Sequence, residues 1–246
     1  MWDNPRLLNR LAWSLTILAT AMLAWGVIAW ALRQPVFALR HVVVDGSLVR
    51  TNPAYLETVI REELKGTFFT LNLADARVAL QRVPWVKSVA LRRRWPDRLE
   101  VAVIEHEPLA RWNDTALVDR EGEIFSADYD GELPQFVGPD GSSSELARRF
   151  YEFGATLAPC ALNIAELRLS PRGSWRLRTT GSAALVIELG RNAAADQLAR
   201  FATYQPRTIA ALARGGTHVD YVDLRYRNGF AVRVLEATEK PSRRTG

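Results

Sequence analysis

Polar and apolar positions divide the chain into three regimes. From Leu11 to Leu32 the residues LAWSLTILATAMLAWGVIAWAL carry no charge and are closed by Arg10 and Arg33. These 22 residues, at about 1.5 Å each, make a helix of roughly 33 Å, enough to cross a hydrocarbon core of about 30 Å. Trp13 and Trp30 fall near its ends, where aromatic rings favour the membrane interface. The run exceeds the roughly 7 to 15 apolar residues of a cleaved signal, so it reads as a transmembrane helix over 11–32. The tail 1–10 sets Arg6 and Arg10 against Asp3, and a short positive tail stays on the cytoplasmic side. Everything after the span is then extracytoplasmic, which in a bacterium is the periplasm.

The second regime alternates short strands with helical periods. VFALRHVVVDGS predicts a strand ending at the Asp45-Gly46 turn. Asn52 followed by Pro53 is an N-cap and first-turn pair, and Leu56, Val59, Ile60 and Leu64 recur at helical spacing before Gly66. A shorter helix is expected over 73–82, ending before Pro84. Strands over 86–93 and 99–105 follow, joined at Pro96-Asp97. The order is β-α-α-β-β.

The third regime begins near Arg111. TALVDREGEIFS predicts a strand, a turn at 120–122 and a second strand, while LPQFVGPDGSS, held by Pro134 and Pro139, reads as a loop or edge segment. A helix over 144–158 presents Leu146, Phe150, Phe153 and Leu157 on one face. Alternating strands follow around Leu167, Trp175 and Leu185, then a helical stretch over 193–213 broken at Pro206. YVDLRYRNGFAVRV predicts a final hairpin turning at Asn228-Gly229, because the type I′ turn needs positive φ at both central residues. Its last strand, about 230–235, is expected to end a sheet with its outer edge open. The remaining residues, 237–246, read as a disordered tail. The whole is α+β, with antiparallel pairing favoured in the third regime.

Composition changes this picture little. Hydrophobic residues make up 48% and charged residues 24%, an ordinary globular balance for which disorder is not the default. The net charge of +5 is a mild excess whose location matters more than its total. The densest cationic stretch is LRRRWPDR, with Arg92, Arg93, Arg94 and Arg98 around Trp95; lipid head groups, a protein partner or solubility account for it better than nucleic acid in an exported domain. Candidate chemistry is sparse. In a strand, His106 of EHE points away from Glu105 and Glu107, so the three are not one metal site but a solvated strand end. Ser142 to Ser144 lack a G-x-S-x-G elbow and read as a loop ending in an N-cap, and Cys160 has neither base nor orienting group nearby. No cofactor is implied, and an enzyme, such as a periplasmic wall-modifying one, has almost no support, because no convergent nucleophile and base is found.

The β-α-α-β-β order, with VPWVKSVALRRRWPDRLEVAVIEHEPLARW closing it, resembles a POTRA module. A short tail, one span, this module, and then PLARWND, LVDREGEIF and YVDLRYRNGFAV together resemble the FtsQ/DivIB family of bacterial cell-division proteins, from the anchor to about Val234. The resemblance implies a short cytoplasmic tail over 1–10, a POTRA domain over 36–107 and a larger mixed antiparallel β domain with flanking helices over 108–236. It implies a non-enzymatic inner-membrane scaffold at the division septum that links divisome proteins and helps control septal peptidoglycan synthesis. Its expected partners are FtsB-like and FtsL-like single-span proteins, the first adding a strand to the last hairpin. On matching positions it names Arg172, Arg225, Tyr226, Asn228, Gly229 and Phe230 for that partner, the two arginines pairing with an acidic residue. Ser88, Leu91 and Arg93 would form a recruitment surface for other divisome components. The rival reading is a POTRA-type periplasmic chaperone or secretion adaptor, which predicts several such modules rather than one.

Overall fold

The computed structural model describes residues 5–46, 48–214, 217–226 and 229–235. The chain divides into two compact units, Met1–His106 and Glu107–Gly246. The uncharged run lies within one helix, α1 (Pro5–Leu32), whose segment Asn9–Leu32 is long and apolar enough to cross a membrane.

After a 3-10 turn at Pro35–Phe37, the first unit runs β1 (His41–Asp45), α2 (Pro53–Glu63), α3 (Leu73–Leu80), β2 (Val86–Arg94) and β3 (Arg98–Glu105), the expected order. Asn52 caps α2 as its sequence position suggests: the Ala54 and Tyr55 amides donate to Asn52 Oδ1 at 3.0 and 3.4 Å. Asn72 does the same for α3 through the Ala74 amide. The sheet order is β1-β3-β2, with β1 parallel and β2 antiparallel to β3. Leu56, Ile60 and Leu80 from the helices meet Val89, Leu99 and Val101 from the sheet in one core.

In the second unit β4 (Pro108–Trp112), β5 (Ala116–Asp119), β6 (Ile124–Phe125) and β7 (Gln135–Val137) precede α4 (Ser143–Leu157). Then come β8 (Leu162–Leu169), β9 (Trp175–Gly181), β10 (Val186–Leu189), α5 (Ala194–Tyr204), α6 (Ile209–Arg214), β11 (His218–Asp223) and β12 (Ala231–Leu235). All nine strands form one sheet in the order β12-β11-β10-β9-β8-β7-β4-β5-β6. The segment expected as a loop or edge is β7, an interior strand between β4 and β8 with Phe136 fully buried. The sheet is mixed: β4 with β7, β7 with β8, and β10 with β11 are parallel. Three residues between prolines carry too little alternation to announce a central strand.

Strand alternation sorts the sheet into two faces. Leu167, Leu177, Ile187 and Val222 lie in successive registered positions and are all fully buried. They belong to one core with Leu146, Phe153 and Leu157 of α4 and Leu198 and Phe201 of α5. Gly122 takes φ +87° in the turn before β6, and an added Cβ would lie 2.3 Å from Ser144 Cα, so the turn seats directly on the start of α4.

His106, expected at a solvated strand end, is buried, and its amide donates to the Trp85 carbonyl at 2.8 Å. Its neighbour Glu105 closes the loop between β1 and α2, accepting from the Val49, Arg50 and Thr51 amides, the last at 2.7 Å. Burial alone would raise this carboxyl, but the hydrogen bonds from Thr51, Val49 and Arg50 outweigh it and hold it below the usual range. The stabilisation is therefore present above the unfolded-state pKa near 4.3 and is lost as pH falls through the lower folded value. Glu105→Gln should lower stability at pH 7 by about 1–2 kcal/mol, because the exposed Val49 and Arg50 amides regain water. Urea unfolding at pH 7 and pH 3 measures this, and the gap between wild type and variant should narrow at pH 3.

Candidate partner-binding surface

The last hairpin forms a sheet edge, but its turn is not the expected one. Register pairs Asp223 with Ala231 and Val222 with Val232, so residues 224–230 lie between the strands. Asn228 lies outside the described residues, and Gly229 is outside the left-handed region that a type I′ turn requires. The cause lies in β10: the Leu224 amide donates to the Glu188 carbonyl at 2.9 Å, and the Leu224 side chain is buried. The chain thus keeps pairing with β10 after it has left β12, and a two-residue turn is impossible.

Among the described residues β12 pairs with β11 alone. Val232 and Val234 stand opposite buried Val222 and Val219 and continue the apolar rows of the helix-covered face, yet are 37% and 40% exposed. On the other face Arg233 donates through Nε and Nη2 to Asp220 at 3.0 and 2.6 Å and lies 5.2 Å from the Tyr221 ring centre. Asp220 sits where the β11 register shifts, so a bulge and an internally paired charge both mark this edge.

The loop before β12 is pinned by an ion pair that the sequence reading did not name. Arg225 Nε donates to both Asp223 carboxylate oxygens at 2.9 and 3.1 Å, Nη2 donates to Oδ2 at 2.6 Å, and the Arg225 amide donates to Oδ1 at 3.0 Å. The side-chain hydrogen bonds from Arg225 hold the Asp223 carboxyl below its ordinary value against the opposing effect of burial, and Asp223 raises Arg225 in turn. Arg225 is therefore paired with this chain's own acid while its side chain stays 61% exposed. Its Cγ also lies 3.9 Å from where a Cβ on Gly190 would be. The legible signal was D-x-R at 223–225, an acid two residues before a base at a strand end.

The other named residues separate. Tyr226 is 58% exposed beside this pin. Phe230 turns inward, its ring 5.8 Å from that of buried Phe201 of α5 in an edge contact, and so anchors the start of β12. An added Cβ at Gly229 would meet nothing within 4 Å. Arg172 is exposed in the turn between β8 and β9, at the end of the sheet where β11 ends and β12 begins. In the first unit, β2 is an edge with only β3 beside it among the described residues. Leu91 is 7% exposed and packs in the core, so it offers a partner its backbone and not its side chain. Arg93 is spent partly inside, donating through Nη2 to the Leu71 carbonyl, while Ser88 is half-buried.

The residues set aside as chemically inert have structural partners. Ser142 Oγ donates to the Pro139 carbonyl and Ser143 Oγ to that of Gly122, so neither hydroxyl caps α4 as expected. Cys160 is buried, burial raises its thiol pKa, and Sγ lies 3.5 Å from the Ala202 carbonyl.

Comparison with known proteins agrees with this architecture. Residues 37–106 match the family described as POTRA domain, FtsQ-type, and residues 110–225 match Cell division protein FtsQ/DivIB, C-terminal. The chain is 38% identical to Cell division protein FtsQ of Burkholderia pseudomallei strain K96243, over 95% of this chain and 94% of that protein. The chain belongs to the FtsQ family. The FtsQ proteins of Nitrosospira multiformis and Escherichia coli K12 are 35% and 33% identical, over 95% and 94% of this chain and 99% and 85% of their own lengths. FtsQ homologues of this length together with α1 fit a single-pass inner-membrane protein. The C-terminal family match ends at residue 225, so the geometry of β12 stands on the structure described above.

Loss of the pin should loosen the loop without melting the sheet. In Asp223→Asn, amide exchange at Arg225 should rise about fivefold at pH 7, the effect of roughly 1 kcal/mol for a half-exposed pair. The Val222 amide should be unchanged. Because the Asp223 carboxyl is held low in the folded protein, wild type should approach the variant only as pH falls below the unfolded value near 3.9.

Proposed function

We propose that this FtsQ-family chain is a non-enzymatic scaffold of the inner membrane, with its N-terminus cytoplasmic and its two globular units periplasmic, acting at the division septum. Its task is to dock a single-span FtsB-like protein, itself paired with an FtsL-like one, and through them to influence septal peptidoglycan synthesis. The observation that carries this reading is the edge of β12, open among the described residues, whose exposed valines extend the core rows to the sheet's margin. A strand added there would pair with the free backbone groups and cover Val232 and Val234, while Tyr226 offers an aromatic anchor beside it.

Gly229 adds support. This chain requires glycine there neither for backbone conformation nor for packing among the described residues, so a close approach by another backbone gives it a reason. Arg172 and the outer part of Arg225 place positive charge at the same end of the sheet, suited to an acidic partner segment. The second edge, β2, with Ser88 and the exposed part of Arg93, is the surface we assign to recruitment of other divisome components.

The test compares binding of the full chain in nanodiscs to the periplasmic segment of a cognate FtsB-like protein. Tyr226→Ala and Val234→Asp should each weaken binding by about five- to thirtyfold, corresponding to roughly 1–2 kcal/mol. Gly229→Ala should weaken it as well while leaving thermal unfolding unchanged. Full-strength binding by all three variants would return this edge to a purely structural role.

A further inference from the structure

We propose that one end of the POTRA sheet is a lipid-facing platform seated in the headgroup region of the bilayer, a proposal that rests on α1 spanning that bilayer. Two segments far apart in sequence are tied to the short stretch that leaves α1. The first is the loop after α2: Thr67 Oγ1 donates to the Leu32 carbonyl at 2.8 Å, Thr67 bridges to Ala38, and the Phe68 amide donates to the Phe37 carbonyl at 2.7 Å. Leu32 is the last residue of α1, so this loop is held at the level where the span ends. The second is the turn between β2 and β3: the Arg40 and His41 amides both donate to the Asp97 carbonyl, at 3.0 and 3.3 Å. These bonds fix the Trp95 turn beside the same connecting stretch.

The connecting stretch and both segments expose aromatic or apolar side chains among the described residues. Val36 is 73%, Phe69 44% and Trp95 77% exposed. Phe69 is held in shape by edge contacts of 5.2 Å with Phe37 and with Phe68. Aromatic rings with cations around them are the composition of the membrane interface, where rings sit at headgroup level and guanidinium groups meet lipid phosphates. Arg33, Arg40, Lys65 and Arg98 supply the cations. The acids nearby are fewer: Asp97 faces His41 at 3.5 Å, and Glu62 and Glu63 end α2. Trp95 and Arg98, which the proposed docking surfaces do not use, thereby gain a role. The platform replaces a swinging tether with a second lipid contact and sets the direction in which β1, β2 and β3 leave the membrane.

The test uses the full chain in phosphatidylethanolamine and phosphatidylglycerol nanodiscs, with Cys160→Ala and one nitroxide-labelled cysteine at a time. The sites are Leu23, Lys65, Arg98 and Val49, the last being in the loop bound by Glu105 at the opposite end of the sheet. Oxygen and nickel-chelate accessibility should place Leu23 in the hydrocarbon, Val49 in water, and Lys65 and Arg98 within about 5–10 Å of the headgroup boundary. Adding Phe69→Glu and Trp95→Glu should shift Lys65 and Arg98 to the accessibility of Val49 while Leu23 stays deep. A deep Leu23 with either Lys65 or Arg98 as wet as Val49 in the unsubstituted protein overturns the platform, whereas a water-exposed Leu23 overturns the spanning role of α1 itself.

Discussion

Every sheet that does not close leaves two strands with backbone donors and acceptors facing outward, and the organisation of this protein follows from how it treats those edges. β6 is only two residues long, too short to template another chain. β2 ends in three consecutive arginines. β12 carries a bulge opposite it and an arginine neutralised by Asp220, yet keeps two exposed valines. These are different degrees of closure: β1 exposes Val42, Val43 and Val44 at its edge, and β12 extends the core row of the larger sheet with Val232 and Val234.

The Asp223–Arg225 pair links that edge to the sheet. Asp223 belongs to β11, pairs in register with Glu188 on one side and Ala231 on the other, and holds both the amide and the guanidinium of Arg225. A local i to i+2 interaction thereby pins the loop just where the Leu224–Glu188 bond has ended the ladder, beside exposed Tyr226. Phe230 fixes the other end of the loop against Phe201. Between these two anchors Tyr226 is exposed and a Cβ added at Gly229 would meet open space, as suits a segment that meets another chain.

Much of this was legible in the sequence where one local signal determines one local structure. Asn52-Pro53 starts α2, the uncharged run makes α1, and Pro206 falls between α5 and α6, because capping, charge and proline act within a few residues. Features set by distant neighbours were not legible. Phe136 is central because β4 and β8 flank it, and nothing within Gln135–Val137 announces either. Asn228-Gly229 carries a strong turn preference, but the Leu224 bond to Glu188 in β10 moved the end of the ladder and overrode it. The candidate site was legible by composition, as an aromatic and basic cluster, but its division into inward Phe230, committed Arg225 and exposed Tyr226 required the third dimension.

The length of β12 constrains how any docked strand gains affinity. Five residues, Ala231–Leu235, present alternate backbone groups outward, so a partner strand makes about five main-chain bonds. At a net 0.5–1.5 kcal/mol each these contribute roughly 3–7 kcal/mol, against an association cost of about 4–15 kcal/mol. Main-chain pairing on this edge fixes direction and register but leaves binding near zero. The remainder must come from side chains that lose water, and those at hand are Val232, Val234 and Tyr226. It follows that sequence selectivity at this edge resides in the residues a partner places over the valines and against the tyrosine, while the strand itself supplies only the alignment that brings them there.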